Sequence, residues 1–99
     1  MSSISVIAFS GIASAATALG SSAHNVANMR TEGFRRQTVG YREVEGGGVT
    51  VQVDRAAVPG HALERDVVDQ ISAKNAFLAN LAVFRTSDAM TGNVLDLLA

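Results

Sequence analysis

The sequence contains no cysteine, no tryptophan and one proline, and only 5% of its residues are aromatic. Without cysteine, disulfides and thiol chemistry are excluded, although this absence does not report the cellular compartment. Apolar residues make up 47% of the 99 residues, so most of them are small or medium-sized, chiefly alanine and valine. A short chain with such side chains buries little surface alone, and we expect partners to supply part of its stability.

Charge is also missing from the first part of the chain, because every Lys, Arg, Asp and Glu lies at or after Arg30. The net charge of -1 gives no general attraction to nucleic acid or to a membrane surface. The uncharged opening lacks the basic segment of a cleaved secretory signal. Ser, Gly and Thr interrupt its apolar residues, so a continuous span of about 20 is missing. We therefore expect no direct membrane insertion.

The uncharged segment has a sevenfold spacing that predicts a helix over residues 1–29. Its central column consists of Ile12, Leu19 and Val26, and the columns beside it contain mainly small residues. The neighbouring columns are Ala8, Ala15 and Ser22, and Phe9, Ala16 and Ala23. Gly11 and Gly20 each weaken the helix by about 1 kcal/mol relative to alanine. This helix is expected to be marginal alone and firm only when packed.

Residues 34–58 are predicted to form a β-hairpin. Gly48–Val53, "GVTVQV", alternates apolar and polar residues, and its expected partner strand is Arg36–Val44. The glycines of "EGGG" between them predict the turn. A phosphate-binding loop would require a following Gly-Lys-Ser/Thr and a helix, whereas a strand follows here. Before the hairpin, Asn28 to Gly33 is expected to end the first helix, with Gly33 at a positive φ.

A long final helix is predicted over residues 63–98, and heptad spacing favours its pairing as a coiled coil. One column contains Val67, Leu81 and Leu95, the adjacent one contains Phe77, Phe84 and Leu98, and Ile71 and Leu78 flank them. Lys74 and Asp88 interrupt the first column, where polar residues often fix register.

A second apolar stripe lies well around the same helix: Ala76, Val83, Met90 and Leu97. A helix that is apolar on two sides is usually buried on two sides. Either a third element of the chain, such as the hairpin, or neighbouring subunits would cover it. The predicted fold class is thus α+β and mainly α: a single domain over residues 1–99, in which terminal helices pair around a small hairpin.

Candidate chemical sites are sparse, and neither an enzyme nor a cofactor or metal site is predicted. His24 and His61 lack a second metal ligand at helical spacing. Glu64, Asp66 and Asp69 favour the positive end of the last helix rather than acid–base catalysis. No nucleophile elbow surrounds the serines near His24. The basic cluster of Arg30, Arg35 and Arg36 is interpreted as a solvated hinge or salt-bridging surface, since nucleic-acid binding normally shows more basic excess.

Two motifs at opposite ends of the chain resemble those of the flagellar axial proteins, the rod, hook and hook-associated subunits. "NVANMRTEGFRRQ" matches the N-terminal signature at Asn25, Val26, Ala27, Asn28, Thr31, Gly33 and Phe34. "ISAKNAFLANLAVFRTSDAM" is similar to the C-terminal signature but departs at Leu78, where the family usually has Glu, and at Ala82, often Lys. "VPGHALERDVVDQIS" resembles the approach to that helix in proximal rod proteins. The chain is short even for such a subunit.

The resemblance implies a structural subunit of the flagellar basal-body rod. Such subunits are exported without a cleaved signal by the flagellar export apparatus, assemble with themselves and other rod or hook proteins across the periplasm, and transmit torque. No small-molecule substrate is implied. Assembly would use the helices, at Ile12, Leu19, Val26, Val67, Ile71, Phe77, Leu81, Phe84, Met90, Leu95 and Leu98. The shortness of the chain leaves an alternative, a small adaptor or capping module of the axial structure or export apparatus.

Overall fold

The computed structural model describes residues 3–98. Helix α1 spans Ser3–Ala27, strand β1 Gln37–Glu43, strand β2 Val49–Arg55 and helix α2 Leu63–Leu98. The predicted fold class is confirmed: two long terminal helices pack together, and a two-stranded antiparallel hairpin lies between them in sequence. Residues 1 and 2 of the predicted first helix lie outside the described residues.

The molecule is elongated and thin, with principal extents of 62 × 24 × 14 Å. Its radius of gyration is 17.2 Å, whereas a compact domain of this length has about 13 Å. Its accessible surface is 6997 Å², against about 5,400 Å² for a compact monomer of the same mass. The chain therefore leaves far more surface in solvent than an ordinary small domain.

The hairpin follows the predicted alternation. Its register pairs Gln37 with Arg55 and Glu43 with Val49. Gly46, Gly47 and Gly48 all have a positive φ, and the backbone amide of Val44 donates to the Gly48 carbonyl across the turn, at 3.1 Å. The turn also needs glycine for space, because a Cβ at position 47 would lie 2.8 Å from Cδ1 of Ile7 on α1.

Polar side chains of α1 hold the hairpin at both of its ends. Near the turn, the Val49 amide donates to Oγ of Ser10 at 3.0 Å, and Oγ of Ser14 donates to the Val49 carbonyl at 3.3 Å. At the other end, the side chain of Asn25 pairs with the backbone of Gln37. Both strands pack against α1, and neither packs against α2 within the described residues.

The two helices meet along a seam of small and polar side chains. The pairs that face each other show that the helices are antiparallel: Ser5 with Ser87, Gly11 with Asn80 and Asn25 with Asp66. A Cβ on Gly11 would come within 2.6 Å of the Asn80 side chain. Glycine, alanine and serine on α1 let the helix axes approach closely, which leaves no room for large side chains directly opposite.

The sequence predicted two columns of α2 residues facing α1, and one of these columns lies one residue away from its predicted position. The column that faces α1 contains Asp66, Ala73, Asn80 and Ser87, all buried or half-buried. Of the predicted column, Val67 is 40% exposed and Leu95 61% exposed. Leu81, the middle residue of that column, is half-buried. In the second predicted column, Phe77 and Phe84 are half-buried, whereas Leu98 is 79% exposed.

The other corrections follow from the same shift. Lys74 and Asp88 are exposed, so they do not fix register inside the helix pair. Ile71 is 57% exposed and does not flank a buried seam. On α1, Ile12 and Val26 are only half-buried and Leu19 is 36% exposed. The most buried α1 positions belong instead to small side chains, among them Ala8, Ala15, Ala18 and Ser22.

The second apolar stripe of α2 stays uncovered. Val83 is 47% exposed, Met90 64% and Leu97 86%, and Ala76 is also exposed. The hairpin packs on α1 and does not cover this stripe, which was one of the two possibilities left open by the sequence. Among the described residues, the stripe faces solvent.

Helix α1 is long and apolar enough, by length and composition, to cross a membrane. This differs from the sequence expectation, which relied on the lack of an unbroken apolar run. A core helix of a soluble protein or a signal sequence passes the same test, so the finding alone decides nothing. In this fold the polar residues of α1, including Ser5, Ser14 and Asn25, are buried against α2 or the hairpin.

Candidate functional site

The chain segments converge on a polar cluster, here called the joint, formed by Asn25, Arg36, Gln37 and Asp66. Asn25 is buried near the end of α1, and its amide group pairs with both backbone groups of Gln37. Its Oδ1 accepts from the Gln37 amide at 2.7 Å, and its Nδ2 donates to the Gln37 carbonyl at 2.9 Å. The side chain thus acts like a neighbouring strand for the first residue of β1. An amide is needed for this, because it carries a donor and an acceptor together.

Asp66 is the most buried side chain of the joint, with 2% of the residue exposed. It lies in the first turn of α2, and its carboxylate accepts two hydrogen bonds from the Arg36 guanidinium. Nε of Arg36 lies 3.1 Å from Oδ2, and Nη2 contacts Oδ1. Asn25 Nδ2 also donates to Oδ1, at 3.3 Å. Asp66 therefore ties α2 both to the segment before β1 and to α1.

The hydrogen bond to Asp66 raises the pKa of Arg36 above its ordinary value, and the negative charges of Asp66 and Asp69 act in the same direction. A raised pKa means that the charged form is stabilised in the folded state. This stabilisation is fully present below the ordinary arginine pKa and is lost only as the pH rises through the still higher folded value. Arg36 therefore stays charged and paired across the whole neutral range.

The turn between α1 and β1 ends the helix through side-chain hydrogen bonds. Asn28 Nδ2 donates to the His24 carbonyl at 2.9 Å, and Thr31 Oγ1 donates to Asn28 Oδ1 at 3.3 Å. Gly33 has a φ of 73°, the positive value expected from the sequence. The Phe34 ring then packs edge-on against His24, with ring centroids 5.4 Å apart. The turn thus directs the chain from α1 into the hairpin.

The N-terminal motif is only partly engaged in these contacts. Asn25, Asn28, Thr31, Gly33 and Phe34 each take part in the joint or the turn. Val26 is half-buried, and Ala27 is the exposed last residue of α1. Gly33 has open space around its missing Cβ, so backbone conformation rather than crowding favours glycine there.

Sequence reasoning missed the roles of Asp66, Arg36 and Gln37. It placed Asp66 correctly in the first turn of the last helix, and it allowed the arginine cluster to form a salt-bridging surface, but it did not pair Arg36 with Asp66. Arg30 and Arg35 are indeed exposed, but Arg36 is paired with a buried carboxylate. The available signal was weak: the heptad that contains Ala73 also places Asp66 on the inward face.

Large apolar side chains cover much of the exposed surface of the helices, here called the outer apolar surface. Among the described residues, the buried apolar side chains are four alanines: Ala8, Ala15, Ala18 and Ala73. The outer apolar surface comprises Ile4, Val6, Phe9, Val68, Ile71, Leu78, Val83, Met90, Val94, Leu95, Leu97 and Leu98, each at least half exposed except Val83 at 47%. Soluble monomers rarely expose large contiguous apolar patches, and such patches commonly mark contacts with other proteins, membranes or ligands.

The joint connects α1, the segment before β1 and the start of α2 through side-chain hydrogen bonds. Residues 3–98 hold no group of three or more His, Asp or Glu side chains placed to bind a metal ion. In the same range, every buried side-chain nitrogen and oxygen has a hydrogen-bond partner. The polar groups of the joint thus satisfy one another and fix the geometry of three chain segments.

Comparison with models of known protein families found no match for this chain. A search of curated proteins found no matching sequence either. The resemblance to the flagellar axial proteins consequently depends on the two motifs.

Proposed function

We propose that this chain is a structural subunit of the bacterial flagellar basal-body rod, which self-assembles through its terminal helices and transmits torque. The proposal rests mainly on the contacts made by the residues of the N-terminal motif. Asn25, Asn28, Thr31 and Gly33 form one continuous connection between helix and hairpin. A motif that builds a rigid structural joint agrees with a structural subunit better than with an enzyme.

The surface of the helix pair supports assembly. The most buried positions of the intramolecular seam are small side chains, while most of the larger apolar side chains are exposed. Burying apolar area contributes roughly 25 cal/mol per Å², so most of the available hydrophobic stabilisation is unused in a single copy. Contacts between unlike surfaces of identical copies produce open helical assemblies when the rotation between copies does not close into a ring.

Assembly and folding are coupled in this proposal. Helix α1 buries mainly alanine and serine, which repay little of the entropy lost on ordering about 25 residues. In a single copy, α1 is expected to lose its ordered structure more readily than α2. Neighbouring copies cover the outer apolar surface and hold α1 in place as each subunit is added.

The joint gives the subunit a way to transmit torque. Asp66 links the start of α2 to Arg36 before the hairpin, and Asn25 links it to the end of α1. Breaking a buried, hydrogen-bonded ion pair costs about 3–5 kcal/mol. The angle between helices and hairpin is therefore stiff, so a twist applied to the helices passes to the hairpin.

The test is quantitative mass spectrometry of basal bodies isolated from cells that produce the chain at its normal level. A rod subunit copurifies with the rod in several copies per basal body and remains after the export apparatus is stripped away. Loss of the chain with the export apparatus, or a single copy per basal body, favours the adaptor or capping alternative. Absence from basal bodies rejects both.

A further inference from the structure

The two-stranded sheet leaves hydrogen-bonding groups open on both of its edges. Arg36 pairs with Ala56, and Val44 with Gly48, just beyond the two ends of the ladder. Even-numbered residues of β1 and β2 therefore bond across the hairpin, and odd-numbered residues direct their backbone groups outward. Gln37 and Val49 follow this rule, because their outward groups bond to α1.

The remaining outward groups belong to three residues on each strand. They are Val39, Tyr41 and Glu43 on β1, and Val51, Val53 and Arg55 on β2. Among residues 3–98, no third strand covers either edge. Neither strand contains a proline, and the charged residues of the two strands, Arg42 and Glu43 on β1 and Asp54 and Arg55 on β2, are of both signs, so they allow complementary pairing between edges.

The side chains at these edges are also incompletely covered. Odd-numbered residues share the face that packs on α1, where Val39 and Val51 are half-buried. On the same face, Tyr41 is 62% exposed and Val53 42% exposed. An additional strand at either edge would cover one of these side chains.

Space for a strand exists beside β1. A groove of about 510 Å³ separates β1 from α2 and is lined by Thr38, Val39 and Tyr41 on one side and by Ser72 and Ala76 on the other. Thr38 and Val39 point to opposite faces of the sheet, so the groove runs along its edge. The floor contains the small residues Ala18 and Ser22, which leave room for an incoming side chain.

We infer that the free edge of β1 pairs in antiparallel fashion with the free edge of β2 from a second copy of this chain, which continues the sheet from subunit to subunit. The inference rests on the proposed function only in taking the partner to be another copy. One register pairs all six residues whose backbone groups point outward without a partner strand. It leaves out Gln37 and Val49, whose outward backbone groups already bond to α1. It places Val39 opposite Arg55, Tyr41 opposite Val53, and Glu43 opposite Val51 of the second copy.

This register is complementary in side chains and charge. Tyr41 and Val53, the exposed apolar residues of the two edges, cover each other as an aromatic–β-branched pair. On the opposite face, Asp54 of one copy lies across from Gly40 and diagonal to Arg42 of the other. The contact joins two different edges, so each copy keeps one free edge for the next copy, as an extended assembly requires.

The natural absence of cysteine makes a cross-linking test direct. Two single variants, Tyr41→Cys and Val53→Cys, are mixed in equal amounts under assembly conditions and oxidised mildly. Hydrogen-bonded antiparallel partners lie about 5.5 Å apart at Cα, within disulfide range. We expect mixed dimers to exceed the random proportion by several fold, as measured by mass spectrometry. Glu43→Cys with Val51→Cys serves as a second pair if the first impairs folding.

The control pair is Tyr41→Cys with Gln52→Cys, whose side chains lie on opposite faces, and it should give no excess of mixed dimers. Sedimentation of the same samples measures assembly independently. Assemblies that form without excess 41–53 or 43–51 dimers overturn the shared sheet but leave the rod proposal standing. Excess mixed dimers in samples that never extend beyond small complexes support the shared sheet and contradict the rod proposal.

Discussion

At the scale of single residues, the joint depends on a carboxylate that is almost removed from solvent. Asp66 reaches Arg36 and Asn25, so one side chain connects the two helices and the segment before the hairpin. Burying a charge is costly unless it is paired and hydrogen-bonded, and here both conditions are met. The energetic role of Asp66 is therefore expected to exceed that of any other charged residue described.

Asp66→Ala is expected to lower the free energy of unfolding by about 3 kcal/mol, because it leaves Arg36 without its buried partner. Arg36→Ala should cost a similar amount, and the double variant little more than either single one. Urea unfolding followed by circular dichroism at 222 nm measures all three. Strictly additive effects would show that the two residues act independently. Arg42→Ala, on the exposed face of the hairpin, is the matched control.

Gly33→Val is expected to cost about 1–3 kcal/mol, since a β-branched residue resists the φ of 73° at this position. Gly33→Asn is the control, because asparagine tolerates the left-handed region and the space around the missing Cβ is open. Both are compared by thermal unfolding and by incorporation into assemblies. Equal behaviour of the valine and asparagine variants would remove the conformational role of Gly33.

At the scale of elements, the sequence predicted each helix and strand but placed one column of the α2 seam one residue away from its observed position. Helix and hairpin follow from periodicity, and the turn follows from its glycines. The position of the seam could not be predicted in the same way, because hydrophobicity favours Val67 and Leu95 over Asp66 and Asn80 as inward residues. Close approach of the helices reverses that preference: opposite Gly11 and Asn25, small or polar partners fit and large apolar ones do not.

The joint was less predictable than the fold for a related reason. Its hydrogen bonds join residues as far apart in sequence as Asn25 and Asp66, and no local pattern reveals such pairing. Only the turn residues, whose contacts are local, could be assigned from the sequence. Arg36 differs from Arg35 only in its position relative to the first strand residue, which decides that it points towards α2.

Two neighbouring positions on α2 separate the inner seam from the outer apolar surface. Leu81→Asp places a charge at a half-buried position and is expected to destabilise the helix pair by about 3 kcal/mol. Val83→Asp, at a position 47% exposed, should change the stability of the single copy by no more than about 0.5 kcal/mol but reduce assembly strongly. Unfolding curves on dilute samples and sedimentation on concentrated ones distinguish the two effects. Unimpaired assembly of the Val83 variant would contradict the role of the outer surface.

At the scale of the whole molecule, the proposed assembly accounts for both the elongated shape and the exposed apolar side chains. A subunit that is completed by its neighbours needs a thin body with apolar surface on several sides. The extent of 14 Å in the thinnest direction leaves little depth for a core of its own. Stability is therefore expected to rise with protein concentration, since association acts on the folded form by mass action.

The most direct test of this account is hydrogen exchange measured by mass spectrometry over a range of chain concentrations. At low concentration, we predict fast exchange in α1 and slower exchange in the part of α2 around Ala73 and Phe77. As concentration rises and sedimentation shows growing assemblies, protection of α1 should increase until it matches that of α2. Full protection of both helices in a chain that remains a monomer at every concentration would contradict the account.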